Sequence, residues 1–390
     1  MKIQRLLVLA ALLFSTTGLL TAQTYQANAI VTAAPVLRQT PDARAAAMGE
    51  CGVATEADAF CMYYNPAKYA FMQNRHTSFA IGFDLWTKNL GSHPTMSFFG
   101  TFAQKIGRSA LAASLRYYRA GNVEIIDEYN QTIGSYNMGE FVADFAGSFR
   151  FGDYLSGGLA TRFIYSNLSA GLSDYYRPGL AFAVDLGIYY NRPLGRTVNM
   201  SLGASVTNIG TKLSYSSYSD RKDFLPTTMR LGTGFRFAFH PKHSLAFNLQ
   251  FSKLLVPTPP IRNYMTGEVV YGYEDDVNVF QGMFRSFYDA PGYAYNMETG
   301  QLEYIGTFYE ELCEINTGIG LEYNLADHFF VRNGYCHRPA MKGGRDYFST
   351  GLGVRFGIFG SDVSLNVPIN SVVGSNPAKS VVRWNMYFAF

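Results

Sequence analysis

From Thr77 to the last residue, the sequence breaks into stretches near the ~10 residues of a tilted membrane strand, in which apolar and polar side chains alternate. Phe79, Ile81, Phe83 and Leu85 alternate with Ser78, Ala80, Gly82 and Asp84. Phe141, Ala143, Phe145, Phe149 and Phe151 alternate with Val142, Asp144, Ser148 and Arg150, and Leu245, Phe247, Leu249 and Phe251 with Ala246, Asn248, Gln250 and Ser252. A period of two puts one kind of side chain on each face of an extended strand. After the first twenty residues, no apolar run approaches the ~20 residues that a spanning helix needs. Lipid leaves only two ways to satisfy every backbone polar group, helices and closed barrels. The pattern therefore predicts an all-β fold, a 14-stranded antiparallel transmembrane β-barrel. Its strands fall near 77–85, 94–105, 109–119, 139–151, 155–166, 179–192, 197–208, 227–240, 244–254, 315–325, 328–338, 346–359, 361–370 and 380–390.

Charge placement agrees with a membrane barrel rather than a soluble sandwich. Arg116, Asp144, Arg150, Arg162, Asp185, Arg230, Arg236 and Glu322 all fall on the polar face of their stretches, as do Asp84, Arg332, Arg355 and Arg383. An Arg or Lys facing lipid at the midplane costs roughly 2–4 kcal/mol, so these groups are expected to line the lumen. Connection lengths alternate too. Ile106-Gly107-Arg108, Gly152-Asp153, Pro193 to Arg196, Pro241-Lys242-His243, Ala326-Asp327 and Gly360 read as tight turns after every second strand, and the other connections are longer. Short turns inside and long loops outside put both termini in the periplasm. Val382, Trp384, Met386, Phe388 and terminal Phe390 alternate to the end, which resembles the signal read by the barrel insertion machinery.

The opening residues predict export. Lys2 and Arg5 precede an apolar run from Leu6 to Leu20, and Leu20-Thr21-Ala22 offers a cleavage site, so residues 1–22 read as a signal peptide. The formal charge is +3 and falls to +1 without Lys2 and Arg5, with no basic block to suggest nucleic acid. Residues 23–76 lack alternation. Pro35 and Pro41 break their start, short helical turns are expected around 42–48 and 57–64, and Asn65-Pro66 ends the second. Such a segment directly before the first strand most easily folds into the lumen as a hatch, ahead of a barrel spanning 77–390. Export permits disulfides among the 4 Cys, with three pairings open. Cys51–Cys61 is favoured, because both lie in one short segment; Cys313–Cys336 would cross a hairpin with offset register.

Residues 40–71 carry a more specific pattern. Thr40-Pro41-Asp42-Ala43-Arg44, Met48-Gly49 and Asn65-Pro66-Ala67-Lys68-Tyr69-Ala70-Phe71 resemble the N-terminal hatch of the FadL-type barrel superfamily, and the extended form resembles its PorV branch. The likeness continues through Ser114 to Asp127, Gln281 to Gly292 and Tyr309 to Tyr323. Cys51, Cys61 and the extra residues Tyr293 to Thr307 depart from it. The resemblance implies a hatch motif of Asp42, Arg44, Met48, Gly49, Asn65, Pro66 and Lys68. It implies a non-enzymatic carrier of type IX secretion that needs no cofactor. Such a carrier docks on the translocon barrel (SprA or Sov), captures cargo by its C-terminal signal domain, and hands it to the sortase-like PorU, with PorQ and PorZ in the attachment complex.

The connection 255–314 is far longer than a simple loop. It leaves the ninth strand through Pro257-Thr258-Pro259-Pro260 and carries Val277, Phe280, Met283, Phe284 and Phe287 at helical spacing. Acidic groups cluster at 274–276 and 310–311. By strand parity this loop is extracellular, and Phe280, Met283, Phe284 and Phe287 are its candidate contacts for cargo or a partner. They serve equally well as a lid packed on the barrel mouth. An alternative function is a FadL-like channel for hydrophobic compounds, which requires an apolar pocket and a kinked wall strand. A hydrolase requires Ser, His and Asp grouped at a rim, and the six His show no such grouping.

Overall fold

The computed structural model describes residues 25–72, 77–86, 95–126, 132–168, 175–218, 222–369 and 380–390. The signal-peptide expectation lies outside them. Fourteen strands close into one antiparallel barrel. They are β1 Thr77–Trp86, β2 Met96–Ile106, β3 Ser109–Ile126, β4 Thr132–Arg150, β5 Leu155–Asn167, β6 Gly179–Pro193 and β7 Val198–Gly210, followed by β8 Thr228–His240, β9 His243–Leu254, β10 Ile315–Leu325, β11 Phe329–His337, β12 Tyr347–Phe356, β13 Phe359–Pro368 and β14 Val381–Ala389. Each pairs with its sequence neighbour, and β14 closes on β1 with Val381 opposite Trp86 and Phe388 opposite Phe79. Among the described residues, no helix is long and apolar enough to cross a membrane.

The alternation read from the sequence becomes the two faces of this wall. Phe79, Phe145, Phe149, Phe182, Leu231 and Phe251 are exposed, while Ala80, Asp84, Val142, Asp144 and Ser148 are buried. β3 and β4 run on past their expected ends at 119 and 139, pairing from Ser109 opposite Phe149 to Ile126 opposite Thr132. One turn is displaced. Gly360 does not make the turn after β12; Gly357 does, with φ 55. Gly360 sits in β13, where a Cβ would overlap the ring of Tyr387, so it is small for close approach and not for backbone freedom.

Residues 27–72 fold against the inward positions of the wall. Asp42 accepts the Arg44 amide at 2.8 Å and starts a short helix, α1, Ala43–Ala47. Asn65 accepts the Ala67 amide at 3.1 Å and starts the 3-10 turn Pro66–Phe71, with Pro66 where a missing N–H does no harm. The approach is close enough to need glycines in the wall: a Cβ on Gly334 would overlap the Gly49 backbone, and one on Gly203 the Val53 carbonyl.

The course of this segment corrects one expectation. Tyr25–Gln26 pairs with Tyr293–Asn296, a strand of the 255–314 connection. That connection lies at the long-loop end, whereas Thr77 and Phe390 bond to each other at the short-turn end, through Phe390 N–H to Thr77 O at 2.8 Å. The two ends of the described chain therefore lie at opposite rims. Parity fixes only where β1 begins; it says nothing of a segment that precedes the strands. The partner strand belongs to the extra stretch Tyr293 to Thr307.

Candidate functional site

Two regions gather the chain's chemistry: the charged lumen and the cap at the long-loop end. In the lumen, α1 presents Arg44 to the wall. Its Nε and Nη2 donate to both oxygens of Glu322 at 2.9 and 2.7 Å, and Nη1 lies 3.4 Å from Asp58. Glu322 also accepts Arg332 Nε at 2.6 Å, and Arg332 Nη1 reaches Asp362 at 2.6 Å. A second network lies across β3, β4, β5 and β6. Asp144 accepts from Ser114 at 2.7 Å and from Arg162, which also meets Asp185 at 2.9 Å. Arg236 Nη1 donates to Glu56 at 2.6 Å, and Arg150 lies over the Phe71 ring at 4.4 Å. Arg116 and Arg230 flank Tyr63, at 5.5 and 4.9 Å from its centroid.

The hatch-motif residues spread along this interior and do not converge on one point. Met48 packs over Gly320, Gly49 donates to Ser349 at 3.0 Å with φ 65, and Asn65 donates to Ile188 O at 2.9 Å. Lys68 is fully buried and donates to Gly52 O at 2.8 Å and Thr55 Oγ1 at 2.9 Å. All of them tie the segment to itself or to the wall. At the short-turn end a cavity of about 570 Å³ opens beneath the segment, lined by Arg44, Glu56, Asp58, Arg236, Asp327 and Arg355 among others. The favoured disulfide is absent. All four cysteines are free thiols. The Cys51 thiol donates to Asn248 O at 3.8 Å, and the Cys61 thiol to Asp58 O at 3.0 Å, so the fold sends them to different neighbours.

The connection 255–314 is a folded cap. It contains α2, Val279–Arg285, and α3, Thr307–Leu312. Asn278 starts α2 by accepting the Gln281 amide at 2.9 Å. Only Gly282 of α2 is buried, packed where a Cβ would crowd Pro257 and Phe224. Phe280 and Phe284 are 66% and 73% exposed, Phe287 just beyond the helix is exposed, and Met283 is half-buried. What pins the cap is a network the sequence did not reveal. Lys253 Nζ donates to Glu311 and Glu314 at 2.9 and 2.6 Å, and Lys342 to Glu310 at 2.5 Å. Glu310 and Glu311 also accept the Gly292 and Ala290 amides at 2.6 and 2.9 Å. Only the pair of adjacent glutamates could have hinted at it.

Asp289 gives this cap a pH dependence. Burial pushes its carboxyl up to about 6 despite two contacts from the Thr258 amide, with Glu311 adding to the rise. A raised carboxyl favours the folded state when protonated, so its contribution is complete below the ordinary value near 3.8 and is lost as pH rises through about 6. Hydrogen exchange around 258 and 289–292, corrected for intrinsic rates, should be slower at pH 5 than at pH 7.5. Equal protection at both would dismiss this role.

A sequence model described as type IX secretion system protein PorV matches residues 22–261, more than half of the chain. The chain belongs to the PorV family. That membership makes it a component of type IX secretion, a non-enzymatic outer-membrane β-barrel whose partners belong to that system. No curated protein matches it. Among solved structures, it is similar to the toluene transporter TodX of Pseudomonas putida, in one crystal structure with 10% identity and TM-score 0.52, covering 90% of this chain and 99% of that one. A second TodX structure gives 11% and 0.50, with 94% and 98% covered. A FadL homologue of Pseudomonas aeruginosa gives 12% and 0.47, with 93% and 100% covered. At these identities, the two TodX structures support the barrel fold and nothing further.

Proposed function

We propose that this PorV-family barrel is a carrier that binds the C-terminal signal domain of secreted cargo at the SprA or Sov translocon and delivers it to the attachment complex of PorU, PorQ and PorZ. The observation that supports this most is the cap. It is held rigid from below by Lys253, Lys342 and three glutamates, yet it turns Phe280 and Phe284 outward. Exposed aromatics on a fixed platform suit a docking face. In this reading the long-loop end is extracellular, and residues 23–76 act as a hatch that keeps the barrel shut while cargo is handled outside.

The hydrocarbon-channel alternative fits less well. The cavity at the short-turn rim mixes Arg44, Glu56, Asp58 and Arg236 with Phe60, Phe71, Met72 and Phe330, so it is not a purely apolar pocket. β7 does bend, with Asn208 at φ 62 and a register shift opposite Val184 and Leu186. Asp185 accepts the Asn208 amide there at 2.6 Å, so an ion-pair network fills the buried side of the bend, and the apolar hollow lined by Phe163, Phe182, Val184, Ile209 and Phe280 lies against it from the other side.

The test is a pull-down in mild detergent together with a surface-display assay. The wild type should recover signal domains and PorU. The pair Phe280→Ser and Phe284→Ser should lose most of that recovery while keeping a normal barrel. A gene deletion that leaves cargo normally attached to the cell surface would refute the carrier role.

A further inference from the structure

A hollow of about 620 Å³ lies on the outer side of the wall at the bend of β7. β6 and β7 pair Leu186 with Val206 but Val184 with Ile209, so β7 carries one extra residue there. That residue shifts the parity of the strand: Leu202 is exposed before it, and Ile209 and Thr211 line the hollow after it. Phe145 on β4 and Phe182 on β6 also line it, and they are 65% and 63% exposed on the face the wall turns to lipid. Phe163 packs on Phe182, with ring centroids 5.3 Å apart. α2 of the cap borders this stretch of wall with Val279 and Phe280. It is held there by Gly282 against Pro257 and Phe224, and by Lys212 Nζ, which donates to Asp276 at 3.0 Å. The floor is closed on the lumen side, where Arg162 meets Asp144 and Asp185. The Thr211 hydroxyl is engaged by the Phe182 amide at 3.3 Å.

We propose that this hollow seats one acyl chain of an intact membrane lipid, clamped between α2 and the wall. Ordinary boundary lipid touches a barrel from one side. A chain in the hollow has protein on two sides, the aromatic wall on one and Val279 with Phe280 on the other. An empty apolar hollow forfeits its dispersion contacts, and a lining this apolar does not supply the two or more polar partners that a buried water needs. The volume falls within the roughly 300–1,000 Å³ of small-molecule sites. The lining side chains belong to the lipid-facing wall, so the bilayer itself supplies the chain. A free fatty acid fits less well. Its carboxylate needs a cation, and Lys212, which follows Thr211, is held by Asp276. The leaflet is the outer one in the orientation proposed above, and on that point alone the inference rests on the carrier reading.

The experiment uses the full mature protein in phosphatidylethanolamine vesicles that carry a trace of the same lipid with a photoactivatable diazirine chain. The protein is then taken into mild detergent, washed and irradiated. Peptides carrying Phe163, Phe182 and Phe280 should be labelled at least about tenfold more than those carrying Leu111 or Phe251, elsewhere on the lipid face. Ala143→Trp or Thr161→Trp fills the hollow from the wall and should lower that labelling by about tenfold, while Leu111→Trp leaves it unchanged. Excess free palmitate should not displace the labelled lipid. Even labelling around the wall, labelling indifferent to both filling variants, or displacement by palmitate would overturn the site. A protein that keeps the labelling yet recovers no cargo would sink the carrier role and leave this site standing.

Discussion

An epitope placed ahead of Tyr25 in the mature chain should be stained by antibody on intact cells, whereas the same epitope after Phe390 should be stained only once the outer membrane is opened. The expectation follows from two observations. Tyr25–Gln26 pairs with the cap strand Tyr293–Asn296, and Ala27 N–H donates to Met341 O at 2.9 Å, so the start of the chain is fastened at the long-loop rim. Phe390 is fastened to Thr77 at the other rim. A barrel whose preceding segment enters and leaves at the periplasmic side would hide both tags. Silence of both on intact cells would thus reject the through-lumen course or the proposed orientation. Deleting the 293–304 hairpin separates these, because the N-terminal tag should then lose its fixed position while Phe280 stays reachable.

The largest loss of stability should come from Arg332→Leu. Arg332 is among the largest fully buried side chains and joins Glu322 to Asp362. Leu fills much of the volume but leaves Asp362 without its cation, and Glu322 with Arg44 alone. Breaking one side of a buried pair costs roughly 3–5 kcal/mol. Arg355→Leu is the control. That arginine is exposed and rests on Phe330 and Tyr387, at 5.2 and 5.8 Å. Its loss should stay within about 0.5–1 kcal/mol. Guanidinium unfolding of the refolded barrel checks both. Similar midpoints for the two variants would mean the Arg332 network adds nothing.

The wall was legible because a bilayer outside and an ion-lined interior make opposite demands on adjacent residues, as at Asp84 between Phe83 and Leu85. Register followed from that, and so did the tight turns, except at Gly360, where residue type suggested a turn and the ring of Tyr387 was the actual reason for glycine. Asn65-Pro66 was legible as the end of one helical turn, but not as the start of the next, where Asn65 accepts the Ala67 amide. The cap network was not legible: Lys253 meets its glutamates 58 and 61 positions away, and no periodicity links them. The direction of the N-terminal segment was hidden for the same reason. Cys51 and Cys61 were close in sequence, and proximity along the chain proved a poor guide to which neighbour each thiol meets.

The through-lumen course constrains how such a molecule can be assembled. The segment is clasped midway by Glu322, Ser349, Asn248 and the backbone beside Gly203, contacts contributed by strands distributed around the circumference. It cannot be slid lengthwise past so many close fits once the cylinder exists. A route in which the sheet curls around it while still open, and closes last at the seam between β14 and β1, avoids that passage.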